Sequence, residues 1–283
     1  MRGVFPLSAV PPAGSCLSGP PRRIISGASF MNACTSATLV LEQLPRVDLP
    51  VWSLNCNGTK NKVVSYGELF CGGPGLLLLQ EVTDPVGLRA ILPPTMGLLT
   101  GLAQASHRTL AVAWDHVSFP NGLYIIADSD QFFVVLGTTA SGATICIADV
   151  HLYSSATVSS VDTQLKLLTL AMEIPGAVYH IDAGDFNTTY EEGSRLCRAV
   201  DTGHLRRLAL SPAHTDAPTH KQLHCKSPRL DYILASKTLF ATSTTLTEVG
   251  SDHLLLTTTL VVPHDVSDPF AWKSVKWGKL SAS

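Results

Sequence analysis

Six short stretches of the 283-residue chain place side chains that bind metals or move protons at the edge of an apolar run. "HIDAGDFN" ends in Asp185 and Asn187, two residues apart, and "SLNCNG" in Asn55 and Asn57. "LLLLQE" ends in Gln80 and Glu81, and "CIADVHLYS" carries Asp149 and His151. "RLDYIL" holds Asp231 inside an apolar stretch, and "GSDHLLL" opens on Asp252 and His253. Taken singly, each reads as a turn. Six of them in a chain with only 15% charged residues point to a common site at strand ends, where ordered backbone lets side chains reach a cleft.

The elements that must carry these residues are mostly strands. "VWSLNC", "GLLLLQ", "TLAVAW", "QFFVVLG", "ATICIADV", "AVYHIDAG", "RLDYILA" and "HLLLTTTLVV" are short apolar runs, rich in β-branched and aromatic residues. "SSVDTQLKLLTLAMEI" is the clearest helix, with a Ser/Asp start and then Leu165, Leu168 and Met172 at helical spacing. Many strands with a few interspersed helices suit a layered α/β sandwich rather than a strict βαβ repeat. No internal repeat is evident.

Bulk properties bound the function. The formal net charge is −2, whereas a protein held on nucleic acid by phosphate contacts alone is usually basic. Nucleic-acid binding would therefore be local, metal-assisted or helped by a partner. The seven cysteines include no C-x-x-C pair, which argues against a disulfide framework or zinc ribbon and for a reducing, intracellular compartment. Mean hydropathy is +0.23, but the apolar runs are far shorter than the roughly 18 residues of a membrane span. Residues 1–47 read as a leader, disordered or targeting. Up to position 41 it has no Asp or Glu and carries Arg2, Arg22 and Arg23, as a mitochondrial presequence would; Pro11, Pro12, Pro20 and Pro21 break the amphipathic helix such a signal needs. Residues 263–283 form a basic, aromatic tail, read as a solvated end or a contact for nucleic acid or a partner. His220 and His224 stand four apart, a metal-ligand spacing on a helix, near His214 and Cys225. No second ligand pair is evident, and Pro218 and Pro228 flank the segment, so it reads rather as a loop beside the active site that contacts substrate.

The ordered set Leu54-Asn55, Gln80-Glu81, His151-Leu152, Gly184-Asp185-Phe186-Asn187, Leu230-Asp231-Tyr232-Ile233 and Ser251-Asp252-His253 resembles the endonuclease/exonuclease/phosphatase superfamily over residues 48–262. The resemblance implies an α/β fold: a four-layer sandwich of two packed mixed β-sheets flanked by helices. It implies a Mg2+ (or Mn2+) ion held by Glu81, Asn55 and Asp252, whose hard oxygens suit such ions. It implies further that Asp185 orients or deprotonates the attacking water, and that Asn187 holds that water or a phosphate oxygen. His253 would bind the phosphate, Asp231 would orient the His253 ring, and His151 would donate to a phosphate oxygen. Asn57 and Arg108 would contact substrate. Asp149 either braces the His151 loop or ends its strand, and Asp182 stands where the family usually has an apolar residue.

Within the superfamily the chain lacks the Asp-Arg and Tyr-Arg pairs of inositol phosphatases, and "VHLYS" departs from the apurinic endonucleases. "HRTLAVAW" resembles a strand of retroelement endonucleases. The resemblance implies a Mg2+-dependent nuclease cleaving DNA or RNA by in-line attack of water, as part of a retroelement or multi-domain product or as an organellar exonuclease. The alternatives are a phosphodiesterase or phosphatase for a small-molecule or lipid phosphoester, and a catalytically silent binding domain.

Overall fold

The computed structural model describes residues 46–263, apart from 60–62, 72, 104–106, 154–164, 167, 170–176, 191–193, 203–204, 216 and 222–227. The leader before Arg46, the tail after Pro263, His224, Cys225 and most of the helix expected near Leu165 lie outside the described residues; Arg46, Val47 and Pro263 belong to strands, and Leu165, Lys166, Leu168 and Thr169 are helical.

The described elements run β1 (Arg46–Asn55), α1 (Val63–Phe70), β2 (Leu76–Val82), α2 (Pro85–Ile91), β3 (Met96–Thr100), β4 (Thr109–Asp115), β5 (Leu123–Asp128), β6 (Phe132–Thr138), β7 (Thr144–His151), β8 (Tyr179–Asp185), α3 (Arg195–Thr202), β9 (Leu205–Arg207), β10 (Asp231–Ser236), β11 (Phe240–Ala241), β12 (Thr245–Thr247) and β13 (Leu255–Pro263). Sheet A has the order β11-β13-β1-β2-β4-β3, with β12 also on β13; sheet B has the order β5-β6-β7-β8-β10-β9. Each sheet contains one parallel pair, β1/β2 in A and β7/β8 in B, among antiparallel neighbours.

Why the apolar runs are continuous is clear from their two faces. Leu76 and Leu78 of β2 enter the core between the sheets with Val112, Phe133, Ile145, Ile147 and Ile181. Leu77 and Leu79 point the other way, onto Tyr66, Phe70 and Leu88 of α1 and α2. On sheet B, Cys146, Ala148 and Leu234 pack outward against Leu165, Leu168, Leu196 and Val200. A strand buried on both faces loses the polar alternation of a half-exposed one. β13 lies toward the edge of sheet A, and there the buried residues Thr258, Leu260 and Val262 alternate with partly exposed ones. The result is the expected four layers, helix–sheet–sheet–helix. α2 is started by Asp84, whose carboxylate accepts from Gly87 N at 2.8 Å, with Pro85 at the first helical position.

The topology also explains the convergence of the polar motifs. Parallel partners end at the same edge of a sheet, so β1 and β2, and β7 and β8, deliver their C-terminal residues together. β10 and β13 run antiparallel to β8 and β1 and so begin at that edge. The register aligns Asn55 with Gln80, His151 with Asp185, and Asp231 with Asp185.

Candidate active site

Three of the four non-glycine residues with positive φ among the described residues lie at this edge: Asn57 (φ 44°), Glu81 (φ 56°) and Asn187 (φ 47°). Left-handed backbone costs a side-chain-bearing residue energy, and it recurs where a functional geometry is imposed. At Asn57 and Asn187 the cause is a local turn. Asn57 N–H donates to Asn55 Oδ1 (3.0 Å), and Asn187 N–H donates to Asp185 Oδ1 (2.9 Å). At Glu81 the pairing of β2 with β4 slips between Leu79 and Val82, and the resulting bulge re-aims the carboxylate. Gly184 (φ 140°) lies so close to β7 that a Cβ there would run into the Val150 carbonyl oxygen.

Asp185 is the centre of the cluster. It accepts from Asn55 Nδ2 at 3.0 Å, and His253 Nε2 stands 3.7 Å from the same Oδ2. Its carboxyl is pushed up to about 6 by burial and by the Asp231 charge, against the pull of His253 and His151. His253 Nδ1 sits 2.9 Å from Asp231 Oδ2 and 3.1 Å from Oδ1. Burial lowers the basicity of the His253 imidazole, but the Asp231 hydrogen bond and nearby carboxylates outweigh it and raise its pKa. Burial dominates at His151 and lowers its pKa. One imidazole is thus held toward the charged form and the other toward the neutral form.

Glu81 is held by Arg108 and by His151 Nε2 at 3.1 Å, with Asn55 Nδ2 at 3.4 Å. Asn187 Nδ2 donates to Leu152 O at 2.6 Å, tying the β8 turn to the segment after β7. Ser251 Oγ donates to Asn55 O (2.7 Å) and contacts Asp252 Oδ1 (3.2 Å), which anchors the Ser-Asp-His segment to β1. The His253 charge leads the groups that hold the partly buried Asp252 carboxyl below its ordinary value, over the opposing effect of burial. The structure therefore brings Asp185, Asn187, His253, His151, Asp231, Glu81, Asn55 and Arg108 into one contiguous network, with Asp252 beside it and Asn57 in the β1 turn.

Two further residues lie beneath and beside this cluster. Asp149 does not brace the His151 loop. It is fully buried, accepts from Gln80 Nε2 (2.5 Å) and Ala111 N–H (3.2 Å), and joins the two sheets beneath the site. Burial drives its carboxyl well above the ordinary range. His220 lies in a loop beside the site, as its flanking prolines suggested. It forms a β-bridge with His253, and its ring lies 4.5 Å from the His253 ring. Sequence reading also missed Thr219, whose Oγ1 accepts from Leu230 and Asp231 N–H at 2.9 and 3.0 Å and fixes the start of β10. A Thr next to His in a loop gives no periodic signal that would single it out.

No family model matches the chain, and no curated protein matches it. Solved structures do. An endonuclease/exonuclease/phosphatase protein from Bacteroides vulgatus superposes with a TM-score of 0.60 at 13% identity, over 76% of this chain and 99% of that one. The chain has the endonuclease/exonuclease/phosphatase fold. The endonuclease domain of TRAS1, a telomere-specific non-LTR retrotransposon, matches with a TM-score of 0.58 at 17% identity, over 77% of this chain and 99% of that domain. A mannosyl-6-phosphatase from Bacteroides thetaiotaomicron matches at 0.57 and 14%, over 75% of this chain and 99% of that one. At such identities the endonuclease/exonuclease/phosphatase fold is what is shared, and the chemistry rests on the side chains just described.

Proposed function

We propose that the protein is a metal-dependent phosphoesterase, and within that class a nuclease that hydrolyses phosphodiester bonds of DNA or RNA. The observation that carries this reading is the Asp185–His253–Asp231 arrangement: a carboxylate 3.7 Å from an imidazole whose far nitrogen is held by a second carboxylate. Asp185 takes the proton from the attacking water. Its carboxylate is aimed by Asn55 Nδ2 and Asn187 N–H. His253, kept charged by Asp231, holds a non-bridging phosphate oxygen and stabilises the charge that develops there. His151 donates to a second phosphate oxygen, and Arg108 and Asn57 contact the flanking substrate.

The carboxylates of Glu81 and Asp252 suit a hard divalent cation such as Mg2+ or Mn2+, and Asn55 would add its amide oxygen on turning over, since here its Oδ1 accepts from Asn57 N–H and its Nδ2 faces Glu81 and Asp185. The ion would be held there, where Arg108 now balances Glu81. When bound it neutralises charge on the phosphoryl group. The retroelement endonuclease among the structural neighbours supports a polynucleotide substrate, and the sugar phosphatase makes a small phosphoester the alternative.

The test is Mg2+-dependent cleavage of labelled single- and double-stranded DNA and RNA, beside an Asp185→Ala, His253→Ala double variant. Cleavage by the wild type alone is expected, with the ladder separating endo from exo action. No cleavage of any nucleic acid, with turnover of a small phosphate ester, would overturn the nuclease reading.

A further inference from the structure

The fold forms a second set of metal-ligating groups that overlaps the proposed hydrolytic machinery at Asp252 and His253. His220, Asp252 and His253 each offer a donor atom within 4.8 Å of the other two. His220 comes from the loop before β10, Asp252 and His253 from the segment before β13. The His220–His253 bridge brings the two rings to 4.5 Å, tilted by 39°, and so holds the imidazoles side by side. His220 Nε2 is 3.6 Å from Asp252 Oδ2. Donors around a tetrahedral zinc ion at about 2.0–2.1 Å lie about 3.4 Å from one another, so this edge is near its final length.

The remaining groups fit the same ion. Asp231 holds His253 through Nδ1, which fixes the ring and leaves Nε2 as the ligating nitrogen; a carboxylate behind a ligand imidazole is the usual support of a zinc histidine. His220 Nδ1 is buried and makes no hydrogen bond among the described residues, so the ring is free of any competing tie on that side. Two imidazoles and one carboxylate favour zinc and similar transition ions over Mg2+, which demands oxygen.

We infer that His220, Asp252 and His253 form a regulatory site for Zn2+ or a similar transition ion, which shares Asp252 with the proposed Mg2+ set and differs from it in adding two imidazole nitrogens. Water fills the fourth position. Coordination takes the lone pair of His253 Nε2, and the proton that atom carried passes to solvent. That same atom is assigned above to the substrate phosphate, so zinc and phosphate exclude each other and zinc inhibits. The inhibition rests on the proposed hydrolytic role of His253; the ion site does not.

The test uses the full chain freed of metal by chelation and titrated with Co2+, whose visible absorption reports a tetrahedral site containing imidazole. The wild type is expected to show these bands, and Zn2+ to abolish them. His220→Gln should weaken Co2+ binding on the order of 100-fold. His220→Cys, which restores a ligand, should regain it and add a thiolate-to-metal band. In the Mg2+-supported cleavage assay, a few equivalents of Zn2+ should inhibit the wild type. His220→Gln should require at least about 30-fold more Zn2+, each variant being referred to its own zinc-free rate. Bands that His220→Gln leaves unchanged would overturn the site. His220-dependent bands in a protein that cleaves no nucleic acid would support the site and overturn the nuclease reading. Cleavage without such bands would do the reverse.

Discussion

β1 of sheet A and β8 of sheet B end in the same turn. Each runs parallel to a neighbour that also ends at the cleft, and antiparallel to one that begins there. Each closes with an Asn in left-handed backbone, whose N–H donates to the side chain two residues earlier. The chemistry of the two turns differs. Sheet A presents the neutral amide of Asn55, and sheet B the carboxylate of Asp185, and the one donates to the other at 3.0 Å. The rule repeats around the site. Gln80 of A meets Asp149 of B, Glu81 of A meets His151 of B, and His253 before β13 meets Asp231 of β10. Two copies of one backbone arrangement bring groups face to face, and complementary side chains at matching places let them bind rather than repel. Like carboxylates at 3 Å could not both stay charged.

The comparison is broken most severely by making the two turns alike. Asp185→Asn keeps the shape of the β8 turn and removes its base. Single-turnover cleavage is expected to fall by about 10³–10⁴-fold, whereas a loss under about tenfold would remove Asp185 from the role of base. Next in size is Gly184→Ala. The β1 counterpart of Gly184 is the buried Leu54, which has an ordinary backbone, so the demand for glycine belongs to sheet B alone. The new Cβ meets the Val150 carbonyl at φ 140°, and thermal unfolding should show a loss of about 3 kcal/mol or more. Glu81→Gln sharpens the division of labour by weakening the side assigned to the cation. It should raise the Mg2+ concentration for half-maximal cleavage by roughly 100-fold, with partial recovery at high Mg2+; an unchanged metal requirement would place the ion elsewhere.

The smallest effect concerns the outer faces. Trp52 packs against the helical side of sheet A, while the matching position in sheet B is Asp182, buried and with Oδ1 unpartnered among the described residues. Burial pushes the Asp182 carboxyl up from 3.8 to about 7. Between those pH values the native chain keeps a proton that the unfolded chain has released. The contribution to stability is complete below the lower value, is lost as pH rises through the window, and is flat above it. Asp182→Asn should leave stability unchanged near pH 4 and raise it by about 1–2 kcal/mol at pH 7.5, read from urea unfolding at the two pH values. Equal effects at both would mean that Asp182 does not titrate in this range.

Much of the fold could be read from the chain because strands buried on both faces are continuous apolar runs and those nearer an edge keep their β-branched alternation, and the eight runs of these kinds all correspond to strands. β9, β11 and β12, with two or three residues each, are too short to show a period, and the eight-residue α1 and α3 carry too few turns to stand out. At the site, polar identity was legible at each strand end, because a titratable side chain after an apolar run is visible locally. The role of Asp149 was not, since its partners Gln80 and Ala111 are 69 and 38 residues away. The flanking prolines marked His220 as part of a loop, but nothing local named its neighbours in space, Asp252 and His253.

By itself, then, the sequence determined where strands stop and which acids, amides and imidazoles stand at their ends, because burial and side-chain chemistry are local properties. Only the tertiary structure decided which of them meet. Strand order in each sheet joins elements far apart in the chain, and Asn55 reaches Asp185 across 130 residues. Partner choice, burial and the resulting bias of His253 toward charge and His151 toward neutrality arise only once the two sheets close on each other.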